Sequence, residues 1–214
     1  PMGQFGLSEV SFSYKPVVAR QPVPADGQVD VGVDLLLDWR AGREVAVHEV
    51  HLGSDREAVE TGAALVDAVS ESRYAADNLD LGTTYYWKVD EANEAATPSL
   101  WAGEVWTFST LEFFVLEDFE SYDDEDSRIY DTWLDGWVNE TGSIVGYLEA
   151  PFAEQRIVNG GRQSMPLQYD NAIAPFYSEA ERDLGGVDLA TNGADTLRLF
   201  VAGLAPAFYE GLDG

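Results

Sequence analysis

Along most of the chain, apolar residues recur at every second position, and turn residues interrupt them at short intervals. This is the pattern of all-β sandwiches. Leu35, Leu37 and Trp39 share one face of a strand, and Asp34 and Asp38 lie on the other. "TTYYWKVD" puts Tyr85, Trp87 and Val89 inward and Tyr86, Lys88 and Asp90 outward. In "EVWTFST", Trp106 and Phe108 fall on the same face. One stretch, "SDREAVETGAALV", suits a short helical turn or loop, with Ala58, Val59 and Leu65 as anchors.

Between residues 21 and 111, "PVPADGQVDV", "LLLDW", "HEVHLGSD", "LDLGTTYYWKVDEAN" and "GEVWTFST" follow one another. This series resembles the strands of a fibronectin type III-like domain. The resemblance implies that Tyr85 forms a tyrosine corner, bonding back to backbone, and that Trp39 is a core aromatic. From residue 112 to 214, "TLEFFVLEDFESY" leads into "SIVGYLEA", "QRIVNG", "QSMPLQYD", "FYSEAERDL" and "DTLRLFVAG". A strand running into "DFESY" resembles the opening of jelly-roll carbohydrate-binding modules. Jelly rolls use about eight strands; fewer are visible here, so this sandwich reads as incomplete. Residues 1–20 form an extra N-terminal strand and linker, in which "GQFGLSEVSFSYKPV" resembles the closing strand of a discoidin-like module. The fold expected is therefore all-β, with two tandem β-sandwiches. The arrangement resembles large secreted multidomain proteins of environmental bacteria.

Composition narrows the partners. The 214 residues carry 39 acids against 12 Lys and Arg, a net charge of −27. Such a surface repels nucleic acid and anionic membranes. It suits divalent cations, high salt, or neutral and cationic ligands, and serves solubility in a salty medium. With 45 % hydrophobic residues the chain has ample material for a core. The absence of cysteine removes disulfides, thiolate metal sites and cysteine nucleophiles. No run reaches the roughly 20 apolar residues of a membrane helix, so membrane insertion is not expected. A chain opening at Pro1 without a signal peptide reads as a mature product or a fragment.

The stretch "LEDFESYDDEDSRIYDTWLDGW" concentrates the candidate chemistry. Calcium takes six to eight oxygen ligands. Asp123, Asp124 and Asp126 supply several, with Glu117, Asp118 and Glu120 beside them. The spacing is not that of an EF-hand, and clustered acids are also what a solvated loop contains. Tyr130, Trp133 and Trp137, interleaved with Asp131, Asp135 and Asn139, suit stacking against pyranose rings. The competing reading is that Trp133 and Trp137 plug the sandwich edge. Tyr169, Phe176 and Tyr177 offer a second aromatic group. His48 and His51, three apart on a strand, point to opposite faces and cannot easily share a metal; His48 is expected at the core edge and His51 in solvent. Asn139-Glu140-Thr141 is formally a glycosylation sequon.

No nucleophile elbow, phosphate loop or His-rich metal motif is present. The expectation is a non-catalytic extracellular or cell-surface protein that binds a polysaccharide or cell-surface glycan, or serves adhesion, with calcium as a possible ligand. The alternative is a self-associating structural subunit of an extracellular filament or surface layer, assembled by strand donation. In that case "GLSEVSFSY" would present Val10, Phe12 and Tyr14 as one apolar face.

Overall fold

The computed structural model describes residues 9–203. The chain is all-β and divides into two compact units. One comprises Pro1–Phe114 and Ala190–Ala194, and the other Val115–Leu189 and Asp195–Gly214.

The first unit is a two-sheet sandwich. Strands β1 (Arg20–Val23), β3 (Leu35–Arg40) and β6 (Arg73–Ala76) form one sheet in the order β1-β3-β6. The other sheet runs β2 (Gln28–Val31), β9 (Trp106–Thr110), β7 (Thr84–Ala92), β4 (Val47–Gly53), β5 (Leu65–Val69), with β8 (Leu100–Trp101) also paired to β7. Only β2 and β9 pair parallel; the others are antiparallel. The alternation explains the packing. Leu37 and Trp39 from β3 meet Val50, Trp87, Val89, Trp106 and Phe108 from the facing sheet in a single buried cluster. Trp87 stacks edge-on between Trp39 and Trp106, at ring separations of 6.3 and 4.8 Å. Asp80 N–H donates to the Tyr85 hydroxyl at 3.0 Å, so this ring does bond back to backbone five residues upstream. The expected helical turn is α1 (Arg56–Glu60), capped by the Asp55 carboxylate, which accepts from the N–H groups of Glu57 and Ala58. Of its expected anchors, Val59 is buried, whereas Leu65 is exposed in β5.

The N-terminal stretch gives a different result from the one its alternation predicts. Gly6 to Ser8 lie outside the described residues, and residues 9–16 form no strand. Val10, Phe12 and Tyr14 are exposed, and the Arg43 guanidinium lies 5.4 Å from the Tyr14 ring. Alternation defines a face, but a strand also needs a backbone to pair with.

The second unit has a small core of Tyr122, Ile129 and Val145, lined by Phe119, Tyr130, Trp133, Phe152 and Met165. Its sheets have two strands each. β10 (Trp133–Leu134) pairs with β13 (Glu181–Arg182), and β11 (Ser143–Val145) with β12 (Leu167–Tyr169). Single helical turns, α2 (Ile129–Thr132) and α3 (Gly136–Asn139), flank β10. Of the strands expected from sequence, "SIVGYLEA", "QSMPLQYD" and "FYSEAERDL" each contain a short one. "QRIVNG", "DTLRLFVAG" and the run through Phe113 to Val115 contain none among the described residues. Leu197, Leu199 and Val201 alternate as a strand would, yet all three are exposed.

Candidate functional site

The acidic loop is organised by its own backbone. Asp123 Oδ1 accepts from the N–H groups of Glu125, Asp126 and Ser127 at 2.8–2.9 Å. These donors hold the Asp123 carboxyl below its usual value, Ser127 most of all. Asp124 Oδ1 accepts from Phe152 N–H at 2.8 Å, and Asp118 Oδ1 from Glu120 N–H at 2.9 Å. Glu120 receives the N–H groups of Arg162 and Gln163, which depress its carboxyl in that order, and pairs with the Arg162 side chain at 3.1 Å. Glu117 accepts from Phe119 N–H, the Tyr122 hydroxyl and Arg182. The six carboxylates singled out for calcium therefore do not converge. Among the described residues, no three of them bring ligand atoms within 4.8 Å of one another. Carboxylates spaced for a metal also suit turns, where neighbouring N–H groups claim their oxygens.

The aromatic set separates into core and surface. Trp133 packs on Phe119 at 5.9 Å and under the Arg182 guanidinium at 5.8 Å. Tyr130 meets Phe152 edge-on at 5.2 Å. Both line the core. Trp137 is 78 % exposed. Its support is firm: buried Asp135 caps α3, with Oδ1 accepting from Trp137 N–H at 3.0 Å and Oδ2 from Val145 N–H at 2.8 Å. Gly136 N–H donates to the Ser143 hydroxyl at 2.9 Å. A shallow depression of about 200 Å³ lies beside the indole, lined by Gly136, Trp137, Thr141, Gly142, Ser143 and Ile144. Asn139 does not face open solvent alone: its Oδ1 accepts from the Thr141 hydroxyl at 2.8 Å and its Nδ2 reaches Glu181 at 3.3 Å. Tyr169, Phe176 and Tyr177 are exposed.

The first unit holds two buried polar groups that alternation alone did not reveal. On the core face, fully buried Glu91 accepts from Gly42 N–H at 2.8 Å, and its other oxygen lies 2.6 Å from His48 Nδ1. Trp39 Nε1 donates to the same nitrogen at 3.3 Å. The indole bond is the aligned one; Glu91 Oε2 remains without a hydrogen bond despite the closer approach. On the opposite face, Glu49 stands across from Asp90, and His51 across from Lys88. Lys88 Nζ lies 2.8 Å from Asp90 Oδ2 and donates to Glu60 C=O at 3.3 Å, while Asp90 Oδ1 accepts from Gly103 N–H at 2.8 Å. His51 is 3 % exposed, which corrects the expectation that it sits in solvent. Lys88 and Asp90 likewise point away from the core and are nonetheless buried. The reason is local: α1 and the turn after it contact β4 and β7, and Gly62, at φ +83°, lies over His51 Cε1. Burial, helped by the Lys88 ammonium, pushes the His51 imidazole below its usual 6.5, against the upward pulls of Asp90, Glu49 and the Gly62 backbone. Among the described residues, Glu49, His51 and Asp90 are the three metal-ligating groups whose ligand atoms lie within 4.8 Å of one another. The signal in the sequence was the pairing of "EVH" with "KVD", charged residues at matching positions of neighbouring strands.

No protein-family model matches the chain, and no curated protein does. Among solved structures, an α-L-rhamnosidase from Dictyoglumus thermophilum is similar at 15 % identity and a TM-score of 0.38, over 64 % of this chain and 16 % of that one. A likeness this slight carries no argument about fold or function. No helix among the described residues is long and apolar enough to cross a membrane.

Proposed function

We propose that the chain is a non-catalytic extracellular module pair, a fibronectin type III-like spacer joined to a carbohydrate-binding or adhesion module related to jelly rolls. The observation that carries it is Trp137, an indole 78 % exposed on a turn whose cap is buried. A flat ring on a fixed stretch of backbone presents a stacking face. Thr141 and Gly142 line the depression beside it, with their polar groups already bonded within the chain, so the ring face carries the contact. The spacer assignment is supported by the two-sheet strand order and by the Tyr85 corner. Calcium enters only as a ligand gained by rearranging the acidic loop, since the loop oxygens already receive backbone donors. Affinity electrophoresis of the chain through soluble polysaccharides tests the reading. Retardation that disappears in Trp137→Ala supports it, and mobility unchanged by every neutral polysaccharide argues against it.

A second reading keeps the filament subunit. It is favoured by Phe12, 96 % exposed within an unpaired alternating stretch. Strand addition to another molecule would give that stretch a ladder. Deleting residues 1–15 and measuring assembly by light scattering checks it. A strictly monomeric full chain would exclude it.

A further inference from the structure

We propose that Glu49, His51 and Asp90 form a site for a divalent transition-metal ion of the zinc class, bound by one imidazole nitrogen and two carboxylates. Cross-strand register brings the three together. Glu49 and His51 alternate on β4, Asp90 faces Glu49 from β7, and all three ligand atoms lie within 4.8 Å of one another. The second observation is independent of that spacing. His51 is almost wholly buried, and neither ring nitrogen has a well-aligned hydrogen-bond partner: the Gly62 backbone is near the ring, and Nε2 lies 3.3 Å from Asp90 Oδ2 without alignment. A buried polar atom left without a partner is costly and uncommon. A metal ion would satisfy one of these nitrogens.

Charge and donor type agree. Two carboxylates face one ammonium, Lys88, which leaves the cluster with an excess negative charge. An imidazole with two carboxylates suits zinc and its neighbours, while calcium prefers an all-oxygen set. Lys88 is the competitor, since its ammonium already sits on Asp90 Oδ2. Its second acceptor, Glu60 C=O, gives it a place to remain when the carboxylate turns to a metal. Gly103 N–H holds the other Asp90 oxygen and fixes the plane of the carboxylate, as outer-shell donors do for metal ligands.

The test is a titration of the full chain with Co²⁺, followed by visible absorption and reversed by Zn²⁺, in excess Mg²⁺ to occupy the acidic surface. One saturable site is expected. His51→Gln and Glu49→Gln should each weaken it by about tenfold or more. Glu49 is only half-buried, so its variant tests the site if the histidine variant fails to fold. Asp124→Asn, in the acidic loop, should leave the affinity unchanged. Absence of saturable binding, binding unaffected by Glu49→Gln, or binding lost in Asp124→Asn would each overturn the proposal.

Discussion

His51 and Lys88 face each other across the β4–β7 ladder, on the side of the sheet turned away from the hydrophobic core, and both are buried. The sheet of the first unit is thus covered on both sides at this point: by Leu37 and Trp39 on one, and by the α1 excursion on the other. The second cover holds polar groups, and they depend on one another.

Gly103 is where that dependence is sharpest. A Cβ there would lie 2.2 Å from the Val89 carbonyl oxygen. Gly103→Ala must move backbone, which breaks the bond to Asp90. We expect a loss of roughly 1–3 kcal/mol in the first unit, the scale of a buried acceptor left unpaired. Two-transition calorimetry should show only one transition moving.

Glu91→Ala strips a fully buried carboxylate from the end of the core. It leaves Gly42 N–H without its acceptor and removes the neighbour of His48. Leaving that buried donor without its acceptor costs about 1–3 kcal/mol. Urea unfolding should show it, and Glu91→Gln, which keeps an acceptor for Gly42, should cost less.

The first unit was largely legible because its strands are long enough for alternation to show. Trp39, Trp87 and Phe108 lie in the core as their positions required. His51 was misplaced because alternation specifies a face and not what covers it; the cover comes from α1, folded back from the β4–β5 connection. The second unit was less legible, since its strands have only two or three residues and turns separate them. "YDTWLDGW" contains two helical turns around β10, and no period of two or 3.6 survives such a stretch. Trp133 and Trp137 are four residues apart, yet one lines the core and the other faces solvent. That distinction came from the Asp135 cap, whose role needed the fold to appear.

Acid should weaken the second unit through Asp123 and Glu120. Backbone donors depress both carboxyls, so the folded state binds their protons less readily than the unfolded chain. Their contribution is complete above the ordinary values of 3.8 and 4.5 and is lost as pH falls through the lower folded values. The transition of the second unit should begin to drop as pH falls below the ordinary carboxyl values of 4.5 and 3.8 and should keep dropping through the lower folded values. Glu120→Gln should flatten that slope, and an unchanged slope in both Glu120→Gln and Asp123→Asn would show that these carboxyls do not set it.

The two indoles should separate cleanly in mutagenesis. Trp133→Ala removes a ring packed on Phe119 and Arg182 and should cost the second unit about 3 kcal/mol. Trp137→Ala touches an exposed ring and should stay within about 0.5 kcal/mol of the parent. Chemical denaturation of the two variants, run in parallel, measures this.

A glycan array probed with the intact chain and with Trp137→Ala tests the binding proposal most directly. The account predicts that the parent chain retains a defined group of neutral polysaccharides and that the variant, still folded by near-ultraviolet dichroism, retains none of them. Equal binding by both proteins, or binding by neither, would contradict it.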